Sequence, residues 1–155
     1  MSFSAHWCSE LQIRQFEERD TAVVIQLANE HAFFDGPVHE EDLKVTNAFP
    51  EGFLVAQQDD EVIGFVYGYF RDVPTEVLAN WGVSKVATIE LLVVSPEYRN
   101  KGVGTALLEH LLARLRQAGT DLIGLHCPVQ AVEAKQLYER FGFEVSALHM
   151  RKRLD

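Results

Sequence analysis

The residues best suited to chemistry lie together, in the run Glu90-Leu91-Leu92-Val93-Val94-Ser95-Pro96-Glu97-Tyr98-Arg99-Asn100-Lys101-Gly102-Val103-Gly104-Thr105. An apolar strand enters a basic, glycine-bearing loop, and the loop opens an amphipathic helix. The first turn of a helix has N–H groups without helical partners and the positive end of the dipole, so it can hold a phosphate. Gly102 and Gly104 let the backbone approach a ligand closely, and Arg99 and Lys101 add positive charge. Glycines that merely shape a tight turn are the other reading of these residues. Two nucleotide loops are excluded. A Walker loop needs Gly-Lys followed by Ser or Thr, which the sequence lacks. A dinucleotide fingerprint needs a third glycine where Leu107 stands and an acid where His126-Cys127 end the next strand.

The surrounding pattern supplies the elements that position this loop. Leu11 and Ile13 share a face of a short strand over 11–16. Asp20-Thr21 offers an N-cap, and Val24, Leu27, Ala28 and His31 follow at helical spacing, which predicts a helix over 21–34. Asp35-Gly36-Pro37 breaks it, and residues 40–47 suggest a second short helix. Strands over 53–57 and 62–71 form a hairpin around the turn at 58–61. Residues 72–85 read as a long irregular loop holding Pro74, Trp81 and Gly82, of a length that is more often functional than idle. A strand over 86–94 precedes the polar loop. A helix over 103–118 carries Leu107, Leu108, Leu111, Leu112 and Leu115 as its apolar stripe and ends at Gly119. A strand over 122–127, a helix over about 130–140 and one or two strands over 143–154 complete the order. Hairpins first and a β-α-β unit later imply a mixed sheet with helices on both faces.

The length of 155 residues suits one domain, 1–155, and its composition of 47% hydrophobic and 24% charged residues suits a globular chain. Cys8 and Cys127 stand far apart in no metal-ligand spacing, so no metal site and a cytoplasmic chain with reduced thiols are expected. No apolar run approaches the roughly 18 residues of a membrane span, and the first residues do not read as a secretory signal. The net charge of −9 is uneven: residues 1–80 carry 15 acids against 4 bases, and residues 81–155 carry 8 against 10. The acidic half disfavours nucleic acid, which needs Lys and Arg for phosphate, and suits a cationic partner; solvated surface carboxylates are the plainer explanation.

Arg99-Asn100-Lys101-Gly102-Val103-Gly104 resembles the pyrophosphate-binding Arg/Gln-x-x-Gly-x-Gly/Ala motif of the Gcn5-related N-acetyltransferase (GNAT) superfamily. Residues 92–98 look like the strand and loop that lead into it. Downstream, Ala134-Lys135-Gln136-Leu137-Tyr138-Glu139-Arg140-Phe141-Gly142-Phe143 is similar to that family's A-x-x-LYE-x-x-GF helix ending, and His149-Met150-Arg151-Lys152-Arg153-Leu154 resembles its last strand. The resemblance covers about residues 11–154. One departure is Ala131, which stands where many members carry an asparagine that helps hold the cofactor chain.

The resemblance implies an α/β (α+β) acyl-CoA N-acyltransferase fold. Its sheet is mixed and mostly antiparallel, and the strands over 86–94 and 122–127 splay apart. It implies acetyl-CoA in the resulting V, with pantetheine along Leu92, Val93 and Val94. Pyrophosphate would lie on Arg99, Asn100, Lys101, Gly102, Val103, Gly104 and Thr105. The implied reaction is acetyl transfer to an amine, without metal. Such an amine is protonated at neutral pH, with a pKa of about 10, so a base must take its proton. Glu90, the carboxylate inside the apolar strand, is the candidate base, acting through water; pointing to solvent or binding the acceptor's cation is its alternative. Tyr138 is the candidate acid toward the leaving thiolate and a cofactor contact; a core tyrosine is its alternative. The developing oxyanion needs a donor, for which the family uses a backbone N–H near Leu92. His126 and Cys127 end the opposite strand and either could face the cleft, a structural role being the commoner one for a strand-end histidine.

The acceptor site is expected in the acidic half, from the helical region around His31 to Glu41, the Tyr67–Tyr69 strand and the loop with Trp81, with Phe34, Asp35, Tyr67, Trp81 and Glu90 as candidates and Phe33, Glu40 and Glu41 nearby. Aromatic rings beside carboxylates suit a cation. The acceptor is a small molecule (a polyamine, an aminoglycoside, an amino acid) ahead of a protein lysine. The family also implies a homodimer. A CoA-binding sensor without turnover is the competing function.

Overall fold

The structure is a computed structural model that describes residues 10–32 and 36–155, apart from the side chains of Val45 and Thr46. Its elements run β1 (Gln12–Gln15), α1 (Thr21–His31), a 3-10 segment (Glu40–Ala48), β2 (Phe53–Gln58), β3 (Glu61–Phe70), α2 (Thr75–Trp81), β4 (Val86–Val94), α3 (Val103–Gln117), β5 (Leu122–Leu125) and α4 (Val132–Arg140). The strands lie in the order β1-β2-β3-β4-β5. The first four pair antiparallel and β5 joins β4 in parallel, which makes the sheet mixed, mostly antiparallel and open.

Local chemistry explains the joints. Asp59 and Asp60 both adopt positive φ, 53° and 61°, as a two-residue hairpin loop of the type favoured by strand twist requires. Asp20 stands just before α1 but does not cap it. Its carboxylate takes two hydrogen bonds from the Arg14 guanidinium, at 2.7 and 2.8 Å, and one from the Glu17 N–H at 2.8 Å. Arg14 Nε also donates to Gln57 on β2, so this pair ties the entry of α1 to the sheet.

Helices cover both faces, so β2 shows a continuous buried run over Phe53–Ala56 rather than alternation. On one face, Leu107, Leu108, Leu111 and Leu115 of α3 and Leu137 of α4 pack with Leu54, Ala56, Ile63, Ala87 and Ile89. On the other, Val24, Leu27 and Ala28 of α1 pack with Phe53, Val55, Phe65 and Val93.

Three expectations are corrected. Residues 72–85 are not an irregular loop. Pro74 precedes α2, and Gly82, at φ 70°, closes it with its N–H on the Ala79 carbonyl. Residues 143–154 form no strand, and every residue from Glu144 to Asp155 is exposed. Helix α1 ends at His31, with Ala32 already extended, rather than at 34.

Candidate active site

The cleft begins where two strands part. Pairing between β4 and β5 runs from Val86↔Leu122 to Ile89↔Leu125 and stops, while β4 continues to Val94. Beyond Ile89, the side of β4 that faced β5 has no strand neighbour among the described residues. The closed end is pinned by Asp121. Its carboxylate accepts the N–H groups of Ser84 (2.9 Å) and Lys85 (2.8 Å), and its own N–H donates to the Lys85 carbonyl at 3.1 Å. Those backbone donors hold the Asp121 carboxyl below the usual carboxylate range.

Glu90 sits at the point of divergence. Tyr67 of β3 pairs with Leu91 and Gly68 pairs with Ile89, so Glu90 is the extra residue of a β-bulge. The bulge reverses the side-chain parity of β4. Ala87 and Ile89 face the α3 core, and past the bulge Leu92 and Val94 do so, while Leu91 and Val93 pack on the α1 side. Glu90 itself is exposed and accepts a hydrogen bond of 3.2 Å from the Tyr69 hydroxyl. Burial and then the Glu90 charge push the Tyr69 phenol up.

The loop after β4 is shaped by its backbone. Arg99 Nε donates to the Val94 carbonyl at 3.1 Å, folding the side chain back on the strand end. Asn100 and Gly102 take left-handed φ of 61° and 84°. The first bond of the α3 ladder runs from the Ala106 N–H to the Gly102 carbonyl, so the N–H groups of Val103, Gly104 and Thr105 precede it. A Cβ on Gly104 would lie 3.2 Å from Leu137 Cδ2 and 3.8 Å from Val94 Cγ2, so glycine brings the first turn of α3 close to α4 and β4. Free N–H groups, a helix dipole and a left-handed turn together suit an anion.

Helix α4 forms the facing wall. Tyr138 is buried, its ring edge-on to Phe143 with centroids 5.7 Å apart. Burial, and then the neighbouring Cys127, push its phenol well above the ordinary range.

These elements enclose a cleft of about 620 Å³. Glu90, Leu92, Val93, Val94, Arg99 and Asn100 line it, as do Gly102, Val103, Gly104, Thr105 and Tyr138. Lys101 does not; its ammonium lies 5.6 Å from the Tyr98 ring centroid. Tyr67 is not in the lining either. It is buried on the α1 side, its ring 5.2 Å from that of Phe53, and burial pushes its phenol well up. Trp81, at the end of α2, is 45% exposed and away from the cleft. Phe34 and Asp35, with Phe33, lie outside the described residues. His31, where the expected acceptor region begins, lines the cleft, and so does Tyr98, which the loop pattern does not mark as a contact. His126 and Cys127 both face the cleft, and Ala131 lines it as well. Cys127 is a free thiol, 3.8 Å from the Ala131 carbonyl, and burial pushes its pKa up. Among the described residues no group of His, Cys, Asp and Glu could hold a metal ion, and no helix is long and apolar enough to cross a membrane.

Comparison with known proteins agrees with this geometry. The profile described as "Acetyltransferase (GNAT) family" matches residues 11–143. The mycothiol acetyltransferase of Brachybacterium faecium is 29% identical over 151 residues, spanning 92% of this chain and 44% of that protein. The chain spans less than half the length of the curated relatives it matches. The crystal structure of Ard1 from Thermoplasma volcanium superposes with a TM-score of 0.74 at 25% identity, over 88% of this chain and 84% of that one. Arabidopsis thaliana Naa50, in complex with the bisubstrate analogue CoA-Ac-MVNAL, gives 0.71 at 19% identity, over 88% and 85%. The last of these likenesses concerns the fold alone.

Proposed function

The chain belongs to the acetyltransferase (GNAT) family, and from that premise we propose that it transfers the acetyl group of acetyl-CoA to a primary amine on a small cationic acceptor. The observation that carries this reading is the joining of two recognition surfaces in one cleft. The unpaired side of β4 beyond Ile89 suits an extended chain bearing amides, and the N–H groups at the start of α3 suit a diphosphate. Acetyl-CoA has both parts in sequence. When bound, it supplies the activated acetyl thioester.

The chain's own residues then have distinct tasks. Glu90, at the bulge and open to solvent, takes a proton from the acceptor ammonium through water, and Tyr69 fixes the carboxylate that does so. The Leu92 N–H, beyond the last β4–β5 pair, is the donor for the oxygen that gains negative charge. Tyr138 donates its O–H to the departing sulfur. A thiol titrates near 8.5, well below this buried phenol, so Tyr138 acts by holding its proton toward the thiolate rather than by surrendering it.

The preference for a cationic acceptor rests on the −11 balance of residues 1–80 against +2 for 81–155, together with Glu90 at the cleft. Polyamines, aminoglycosides and amino acids come ahead of protein lysines in this reading. The enzyme works in the cytoplasm, where a thiol such as Cys127 stays reduced.

The test is thiol release from acetyl-CoA against a panel of polyamines, aminoglycosides, amino acids and lysine peptides, with the acetylated product identified by mass. Turnover on one class, lost in Glu90→Gln while the cofactor still binds, is the expected outcome. Cofactor binding without turnover on any amine would favour the sensor function instead.

A further inference from the structure

The proton that Glu90 takes from the acceptor has to leave the cleft. In ordinary peptides a carboxylic acid releases its proton at about pH 4.3, and an alkyl ammonium at about 10, so a carboxylate holds that proton only in passing. A group that titrates closer to neutrality suits its onward transfer, and imidazole is that group. Glu90 stands on the α1 side of the sheet. Tyr69, whose hydroxyl reaches it, and Leu91, the next residue of β4, both pack against the core that α1 forms with the sheet. The buried stripe of α1 is Val24, Leu27 and Ala28, and His31 is the next position at helical spacing. A titratable ring therefore stands where the stripe calls for an apolar residue. The helix ends there, and His31 lines the cleft with Glu90.

Two features hold this ring in place. Its side chain is only 21% exposed, and its Nε2 lies 3.4 Å from the Glu30 carboxylate. A carboxylate on one ring nitrogen fixes the tautomer and leaves the other, Nδ1, to accept a proton. His126, the other imidazole in the lining, is exposed and follows Leu125, the last paired residue of β5. Resting on the acetyl-transfer reading, we propose that His31, oriented by Glu30, carries the acceptor's proton from Glu90 to solvent. The proton passes from Glu90 through water to His31 Nδ1. The ring becomes an imidazolium, which the Glu30 charge stabilises, and solvent takes the proton before the next turnover. Only O–H and N–H bonds are exchanged, so no oxidant or other co-reactant is needed. Among the described residues, the ionisable groups on this side are Glu30 on α1, Asp42 in the 3-10 segment, Tyr67 and Tyr69 on β3, Glu90 on β4 and His126 after β5.

The test has two arms. In the first, thiol release from acetyl-CoA is followed with spermidine, kanamycin and free lysine as acceptors, with and without imidazole in the buffer. His31→Ala is expected to lose kcat about tenfold to a hundredfold, to keep its KM for acetyl-CoA within about twofold, and to recover most of the loss when imidazole is added. Glu30→Gln is expected to lose about threefold. A loss in His31→Ala that imidazole leaves untouched would overturn the proposal, since a ring needed only for packing is not replaced from solution. Rescue confined to His126→Ala would overturn it as well. The second arm needs no turnover: the histidine ring protons are titrated by NMR. The His31 ring is expected to titrate at lower pH in Glu90→Gln and in Glu30→Gln than in the wild type, because each change removes a negative charge beside the imidazolium. A His31 titration that Glu90→Gln does not move would overturn the carrier alone. A wild type whose His31 is coupled to Glu90, yet which turns over none of the amines, would overturn the acetyl-transfer reading and the carrier with it.

Discussion

The Tyr69 hydroxyl donates a 3.2 Å hydrogen bond to Glu90 Oε2, linking the far end of β3 to the bulge in β4. The bond holds an exposed carboxylate at the point where the cleft opens. Tyr69→Phe removes that restraint and leaves the charge. Its kcat is expected to fall about threefold to tenfold, against roughly a hundredfold for Glu90→Gln, which removes the proposed base. Both variants should bind CoA like the wild type, and steady-state kinetics beside calorimetric titration would show it. Weakened CoA binding in either would place Glu90 in cofactor recognition instead.

Tyr138→Phe separates binding from chemistry. The ring stays packed against Phe143, so the fold and CoA affinity should hold while kcat drops by about 10²-fold. An unchanged kcat would leave Tyr138 as a core aromatic residue only.

The glycines of the loop act in different ways. Gly102 has open space around its Cβ position but a φ of 84°, so Gly102→Ala meets backbone strain alone and should cost about 1 kcal/mol of stability. Gly104 has an ordinary φ but Leu137 only 3.2 Å from where a Cβ would stand. Gly104→Val should push α3 from α4 at the first turn of α3 and weaken CoA binding at least tenfold. Urea unfolding and CoA titration of the two variants should therefore give opposite patterns.

Alkaline pH should destabilise the protein through its buried phenols. Burial raises Tyr67 and Tyr138 well above the ordinary phenol range. Their contribution is full below the unfolded value of about 10; above it the unfolded chain loses these protons first, so stability falls as pH rises, by roughly 1.4 kcal/mol per unit per phenol. Urea midpoints at pH 9, 10 and 11 should fall more gently in Tyr67→Phe than in the wild type.

The acid side depends on Asp20. Burial pushes its carboxyl up, but the hydrogen bonds from Arg14 and the Glu17 N–H outweigh it and hold the group below the usual carboxylate range. Its stabilisation is therefore complete above about pH 4 and is lost as pH falls through the lower folded value. Asp20→Asn leaves Arg14 without its counter-charge and should cost about 3 kcal/mol at pH 7, with a shallower acid limb.

The strand, loop and helix N-terminus from Glu90 to Thr105 are legible because they are contiguous in the chain, and the N–H groups they leave ahead of the α3 ladder are a backbone property. The parting of β4 from β5 was reached by resemblance only, since nothing in Leu122–Leu125 says where pairing must stop. Helix α2 escaped notice because Thr75–Trp81 is shorter than the window in which helical periodicity can be counted, and Pro74 and Trp81 made it read as a loop. Tyr67 and Tyr69 show a subtler limit. They share a face of β3 by alternation, yet one is buried under α1 and the other reaches Glu90. The strand expected within 143–154 is not formed, and every residue from Glu144 onward is exposed.

The central claim is that the β4–β5 cleft holds acetyl-CoA, with its chain along residues 92–94 and its diphosphate on the first turn of α3. Amide hydrogen exchange with and without saturating acetyl-CoA reads those positions directly. The account predicts new protection at Leu92–Val94 and at residues 100–105, and less of it in Gly104→Val. Unchanged exchange at both segments under saturating acetyl-CoA would contradict it.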